Sequence, residues 1–368
     1  MSSISFHASL GSVEEKVKRI ITLSKYVAIF IPHASLIKVE RAAYLAKADL
    51  ATLIVKEFPG LQGIMSGYYA SYFQEDKEVV EAITEHYKPI GSEQECPKSP
   101  TAIAVAIVDK MDSLVGLIAA GEKISGSYDQ FGLRRMTIGI IRTILENNLH
   151  IPIRLLIDKS VSLCSRLLFN KNTTPVDKPN EKQISELVFK FCLERFKVIL
   201  KNRNIRQDIV DSIIYKIDIN DLLTAEKQTV ILDRYLSTPE GEQVLSTYKR
   251  ASNMMSKVRK SDGTTYNASY SKKFLIENEE IALSNCAIAA CKNIKQAIEN
   301  NDFNTALDEL ARFAPFINQF MDSVKINCDS NELRINRLSL LANVVSSFQL
   351  VAEFNLIQVK QLINAQAI

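Results

Sequence analysis

The sequence predicts an all-α protein made of two helical bundles. Glycine and proline are scarce, 12 and 10 among 368 residues, which favours long helices over sandwiches and barrels. Apolar residues recur at helical spacing along most of the chain, and no series of alternating segments reads as strands. Ser, Thr or Asp also precedes several of these runs, where a helix start needs a side-chain acceptor. The length suggests two or three domains.

Ser12-Val-Glu-Glu15 is a capping box that opens a first helix, with Val13, Val17, Ile20, Ile21 and Val27 on or near one face. Ser35 is expected to cap a long helix running to about Phe58, where Pro59-Gly60 stops it. Asp76 caps a shorter helix that ends near Tyr87, before Pro89. Gly91 to Pro100 reads as a loop. Ser99-Pro100 then starts a nearly all-apolar helix to Ala120, placed at the middle of its domain. Gly121 ends it. Asp129 is expected to cap a helix from Gln130 to about Asn147, and Ile151 to Phe169 forms another. Residues 170–181 (NKNTTPVDKPNE) are polar, carry two prolines and lack periodicity, so they are taken as a linker between domains 1–169 and 182–368. Helical patterns recur at 183–201, 207–216, 224–236, 240–257, 277–300, 303–318 and 338–364, with a second polar break at 261–271. The C-terminal core is placed at roughly 240–368.

Composition bounds the function. The net charge of +3 gives no global basic field, so any RNA-binding surface must be a local patch. Cys96, Cys164, Cys192, Cys286, Cys291 and Cys328 form no C-x-x-C pair; they read as reduced thiols of a cytosolic protein, with no structural zinc site expected. The start of the chain shows no secretory signal. The most apolar window is interrupted by Asp109, Lys110 and Asp112, which argues against a membrane span. There is no G-x-x-x-x-G-K-[ST] loop and no nucleophile beside a base, so catalytic residues and ATP contact are not expected on this chain.

Two clusters carry nucleic-acid chemistry. Tyr248, Lys249, Arg250, Asn253, Lys257, Arg259 and Lys260 fall close together with no Asp or Glu among them. Lys249, Asn253 and Lys257 share one helix face. Arg334, Asn336 and Arg337 form the second cluster. Unpaired bases are read by stacking on aromatic or guanidinium planes and by amide or guanidinium hydrogen bonds, and phosphates by lysines. The competing structural reading has Arg334 and Arg337 capping the last helix or bridging to Asp329 and Glu332. Asp109 and Asp112, one helical turn apart, read either as a general acid/base pair or, preferably, as part of an internal ion-pair network with Lys47, Lys110 or Arg135.

Several longer segments together resemble one known family. They are Lys47-Ala-Asp49, Glu57-Phe-Pro-Gly-Leu-Gln-Gly63, Asp109-Lys-Met-Asp112, Asp129-Gln-Phe-Gly-Leu-Arg-Arg135, Lys249-Arg-Ala-Ser-Asn253 and Glu332-Leu-Arg-Ile-Asn-Arg-Leu338. In order and spacing the chain is similar to the C-terminal half of the β subunit of bacterial glycyl-tRNA synthetase. That β subunit is considerably longer, so the chain is expected to be a fragment or the downstream part of a split subunit. The resemblance implies a degenerate HD-like helical domain followed by a helical anticodon-binding bundle. It implies that ATP and magnesium are used by the α subunit, with no cofactor on this chain. The implied partners are glycine tRNA, the α subunit and the remainder of the β subunit in a hetero-oligomer, without membrane or DNA.

In this frame Tyr248, Lys249, Arg250, Asn253, Lys257, Arg334, Asn336 and Arg337 are the expected tRNA contacts. Lys110, Lys123, Arg134 and Arg135 are expected to touch the acceptor arm or the α subunit. An active HD phosphohydrolase needs a His-Asp doublet and a later Asp to hold metal. Here the doublet reads Ala48-Asp49, Asp109 is the candidate last carboxylate, and His7, His33, His86 and His150 do not complete the set. No metal is therefore expected. The alternatives are a metal-dependent HD-type phosphohydrolase and a non-catalytic helical protein-interaction scaffold.

Overall fold

The computed structural model describes residues 1–91, 93–122, 129–169, 179–216 and 219–359, with 166–169 described by their backbone alone. Among the described residues the fold is all-α apart from a short antiparallel ribbon, β1 (Ser5–His7) with β2 (Gly11–Ser12). The ribbon was not expected. Two compact units are formed, Met1–Ile199 with Ile219–Leu223, and Leu200–Asp218 with Thr224–Ile368. Most of the expected linker, 170–178, lies outside the described residues, and the division between units falls within a later helix.

The first unit is built around one buried helix. Its helices are α1 (Val13–Ala28), α2 (Leu36–Leu45), α3 (Leu53–Glu57), α4 (Ile64–Tyr72), α5 (Lys77–Glu85), α6 (Pro100–Ala119), α7 (Leu133–Glu146), α8 (Ile153–Phe169) and α9 (Glu181–Asn202), the last continuing into the second unit. Ser12 and Glu15 form the expected capping box of α1, and Ser99 caps α6 with Pro100 in its first turn. From Thr101 to Leu117 every residue of α6 is buried, because α1, α2, α5, α7 and α8 all pack on it.

In the first unit two departures from expectation have local physical reasons. The long helix from Ser35 to Phe58 is broken into α2, a 3₁₀ turn (Ala48–Ala51) and α3. The break turns Asp49 inward, where its Oδ2 accepts the Gly63 amide at 2.7 Å. Thr52 then restarts the helix by capping Val55. Gly63, with φ +78°, occupies the left-handed region that glycine adopts without strain, and opens α4. The second difference is at α7, which starts at Leu133 rather than Gln130. Asp129 still caps it, accepting the Leu133 and Arg134 amides at 2.7 and 3.0 Å.

Charges on α6 are matched by α1 and by the segment after α2. Arg19 grips Asp112 with Nε to Oδ1 at 2.6 Å and Nη2 to Oδ2 at 3.0 Å. Lys16 lies between the two carboxylates, 3.3 Å from Asp112 Oδ2 and 3.1 Å from Asp109 Oδ1. Lys47 reaches Asp109 Oδ2 at 2.7 Å. Buried carboxylates and cations thus meet in one network that fixes the azimuth of α6.

The second unit contains α10 (Gln207–Ile214), α11 (Leu222–Tyr235), α12 (Pro239–Asp262), α13 (Asn278–Glu299), α14 (Phe303–Ser323) and α15 (Asn331–Gln349). Helices α12 to α15 form the bundle, with α12 against α14 and α15, and α13 against the same two. The last helix begins and ends earlier than the expected 338–364: a 3₁₀ turn (Phe354–Leu356) follows it, packed on α10 and α12. Its Phe354 joins Tyr248, Phe313 and Phe348 in an aromatic core, with Tyr248 ring centroids 5.2 Å from Phe348 and 5.4 Å from Phe354. Burying Phe354 needs the chain to fold back rather than continue the helix outward.

Asp112→Ala is expected to destabilise the first unit by about 3–5 kcal/mol, because Arg19 is left buried without its partner. The double change Asp112→Leu with Arg19→Met is expected to recover most of the loss. Thermal or urea unfolding of the three chains checks both statements.

Candidate nucleic-acid interface

The expected contacts on α12 separate into inward and outward side chains. The correction concerns Tyr248, which is 1% exposed and belongs to the aromatic core. Burial raises its phenol pKa, and its ring has no face left for a base. Outward from the same helix point Lys249, Arg250, Asn253 and Lys257, with Arg259 and Lys260 one turn on. Lys249 is half-buried and donates to the Asn355 carbonyl at 3.0 Å. Arg250 reaches Asp322 at 2.6 Å and Asn318 at 2.8 Å on α14. Among the described residues the side chains of Asn253, Lys257, Arg259 and Lys260 make no hydrogen bond or ion pair, so they are open to a ligand. Helical spacing places Lys249, Asn253, Lys257 and Lys260 along one stripe.

The second cluster is largely structural. Arg337 is 5% exposed and binds Glu280 at 2.5 Å, Glu277 at 2.7 Å and the Lys325 carbonyl at 3.0 Å. The other oxygen of Glu280 accepts the Ile276 and Glu277 amides, so one carboxylate caps α13 and anchors α15 together. Asn336 is also buried. It accepts the Ser271 amide at 2.7 Å and donates to the Ser271 carbonyl at 3.1 Å, copying a backbone pair. Asn336 thus holds Ser271 in the loop after α12, and Arg337 ties α15 to the start of α13 and to Lys325, so both side chains are already engaged inside the unit. Arg334 is partly exposed and engages Asp262 at 2.6 Å, the Tyr266 hydroxyl at 3.1 Å and Asn327 at 3.2 Å. The Tyr266 hydroxyl and Arg334 lower the Asp262 pKa to about 2. Neither arginine pairs with Asp329 or Glu332, the partners expected from proximity in sequence.

In the first unit, Lys110 is corrected in the same way. Its ammonium is buried and donates to the carbonyls of His86, Lys88 and Ala106. Burial lowers its pKa to about 8. Arg134 is half-buried at the start of α7, Lys123 lies outside the described residues, and Arg135 is exposed. Arg135 lines a cavity of about 380 Å³ together with Lys16, Lys47, Asp109 and Lys110.

The positions expected to be vestiges of an HD site take part in internal pairs. Ala48 offers no ligand, Asp49 accepts the Gly63 amide, and Asp109 faces two ammonium groups. Lys47 lies 2.9 Å from His86 Nε2 and 2.7 Å from Asp109 Oδ2, so a divalent cation there would meet a resident positive charge. Burial would raise the Asp109 pKa, but Lys16 and Lys47 outweigh it and hold the carboxyl ionised. Burial also keeps His86 neutral. Among the described residues no group of three or more His, Cys, Asp or Glu side chains is arranged for a metal. The acid/base reading of Asp109 and Asp112 gives way to the ion-pair network, although its cations are Lys16, Arg19 and Lys47 rather than Lys110 or Arg135.

Lys16 and Arg19 were missed as partners in sequence. The available signal was their position: Lys16 shares the face of Val13, Val17 and Ile20, where a solvated lysine would not fall.

Two consequences are measurable. Arg337→Ala is expected to cost the second unit about 3–5 kcal/mol, since Glu280 is left buried and uncompensated; denaturant unfolding reads it. Burial holds the folded Lys110 pKa at about 8 against the ordinary lysine value of 10.5, so the unfolded chain binds more protons between those values. Stability relative to Lys110→Met therefore rises with pH across that window, by up to about 3 kcal/mol. Unfolding curves collected from pH 7 to 10.5 check the sign.

Comparison with known proteins gives two matches along the chain. The family described as glycyl-tRNA synthetase beta subunit matches residues 1–215, and the DALR anticodon binding domain matches residues 244–360. Proteins named glycine–tRNA ligase beta subunit are similar over almost the whole chain. That of Phenylobacterium zucineum (strain HLK1) is 34% identical over 357 residues, covering 96% of this chain and 49% of the relative. Those of Dinoroseobacter shibae and Ruegeria sp. (strain TM1040) are 33% and 32% identical, each covering 97% of this chain, and 52% and 49% of the relatives. The chain thus spans about half the length of the curated relatives it matches. It belongs to the glycyl-tRNA synthetase β-subunit family.

Proposed function

We propose that this chain is the tRNA-binding and tRNA-positioning part of a glycine–tRNA ligase β subunit, working in ATP-dependent glycylation of glycine tRNA. One observation carries the reading. The open polar and basic side chains of α12, Asn253, Lys257, Arg259 and Lys260, lie within the segment that matches an anticodon-binding domain. Lysines on a helix face track phosphates, while Asn253 and Arg259 supply amide and guanidinium groups for bases. In this reading ATP, magnesium and glycine are handled by the α subunit, and the protein works in the cytoplasm with α and with the rest of β.

The mechanism is positioning. The second unit grips the anticodon arm. The first unit, with Arg134 and Arg135, supports the acceptor arm or the α subunit. Holding the tRNA at two places raises the effective concentration of its terminal adenosine at the α-subunit site. The phosphohydrolase alternative is disfavoured by Lys47, whose ammonium stands between His86 and Asp109. Among the described residues no helix is long and apolar enough to cross a membrane.

Lys257→Ala and Lys260→Ala are each expected to weaken binding of fluorescent glycine tRNA and to reduce the slope of log affinity against log salt by about one. Tyr248→Phe is expected to leave affinity unchanged. The assay uses the 368-residue chain alone and with a glycyl-tRNA synthetase α subunit. Unchanged affinity and salt slope in both lysine variants would overturn the assignment of this face.

A further inference from the structure

We propose that a groove on the first unit, between α2, α4 and α5, receives an arginine side chain from a partner protein. The groove encloses about 590 Å³ and is lined by Leu45, Asp49, Tyr69, Phe73 and Ile83, with Arg41 and Glu75 at its edge. Nothing in the tRNA-binding reading uses it.

Three observations identify the occupant. Asp49 is 1% exposed, and its Oδ1 has no hydrogen-bond partner, while Oδ2 is committed to Gly63. A buried carboxylate oxygen without a partner, on a residue that lines the groove, calls for a donor. The groove's own guanidinium does not supply it, because Arg41 is engaged by Glu75, with Nε to Oε2 at 3.1 Å and Nη2 to Oε1 at 2.5 Å. The lining therefore carries one cation, Arg41, against two carboxylates, Asp49 and Glu75.

Aromatic rings complete the fit. Tyr69 and Phe73 are one turn apart on and just beyond α4, and Phe73 is 73% exposed. A guanidinium can stack on such rings while its N–H groups bond a carboxylate, which a lysine's point charge does less well. The same helix exposes Tyr68 and Tyr72, at 69% and 80%. Aromatic side chains exposed in this number suit the apolar flanks of a protein segment. An RNA strand fits less well, since its phosphates would meet a lining with excess negative charge.

The test uses the whole chain carrying fluorotyrosine, with the Tyr69 ¹⁹F resonance assigned from its loss in Tyr69→Phe. The probes are a capped Leu-Arg-Leu peptide and its citrulline counterpart, which keeps the shape and loses the charge. The expected result is a saturable shift of the Tyr69 resonance with the arginine peptide and binding about five-fold weaker or worse with citrulline. Asp49→Asn, which keeps an acceptor for Gly63, is expected to remove that preference. Phe73→Ala, at an exposed ring, is expected to weaken binding without altering the melting temperature. Equal response to the two peptides, an unchanged preference in Asp49→Asn, or no saturable shift would overturn the proposal. Binding of glycine tRNA is expected to be the same in Phe73→Ala as in the parent chain. Loss of it there would assign the surface to RNA and overturn the proposal, whereas failure of the α12 lysine variants would leave it standing.

Discussion

The first unit depends on neutralising two carboxylates on a helix that has no solvent face. Helix α6 is surrounded, so Asp109 and Asp112 have no water to turn to, and each must be met by a cation from a neighbouring element. Arg19 and Lys16 come from α1, and Lys47 from the end of α2. This requirement fixes more than a pairwise distance. It sets which face of α1 turns inward, and it ties Lys47, just before the 3₁₀ turn, to α6. Replacing such a network with apolar residues can match its stability, so its distinct contribution lies in specifying one packing among several. The second unit uses the same device once, where Glu280 caps α13 with one oxygen and holds Arg337 of α15 with the other.

The same constraint explains why several basic residues chosen for RNA contact are structural. An arginine can bind a phosphate only if its guanidinium is free of a stronger internal partner. Arg337 has two carboxylates and a carbonyl, and Lys110 has three carbonyls. Exchanging those bonds for a phosphate would leave buried oxygens bare. Lys257 and Lys260 of α12 face no such cost. They lie on the outer stripe of a helix whose inner stripe holds Val244, Tyr248 and Ala251. Exposure without an internal partner, rather than basicity alone, separates a binding candidate from a packing residue.

Much of the fold was legible in the sequence because it follows local rules. The Ser12–Glu15 box, the Ser99-Pro100 start and the all-apolar run of α6 each act within a few residues, and each stands where expected. What was not legible depends on contacts distant in sequence. The helix after Ser35 looks continuous until Asp49 is required inside, and the last helix looks longer until Phe354 is required in the aromatic core. The candidate interface divides in the same way. Helical period correctly put Lys249, Asn253 and Lys257 on one face, but nothing local shows that Asn336 pairs with Ser271, 65 residues away. Tyr248 illustrates the error most directly: its neighbours in sequence are basic, while its neighbours in space are phenylalanines.

The α12 face and the groove beside Asp49 have opposite chemistry, and this difference bears on what each can bind. The α12 face carries the unpaired cations Lys257 and Lys260, which attract phosphates at long range with a strength that falls as salt screens them. The groove beside Asp49 has aromatic walls and a bare carboxylate oxygen, a combination that repels phosphate and rewards a close-fitting guanidinium. Its attraction operates over contact distance inside an apolar lining, so salt weakens it far less.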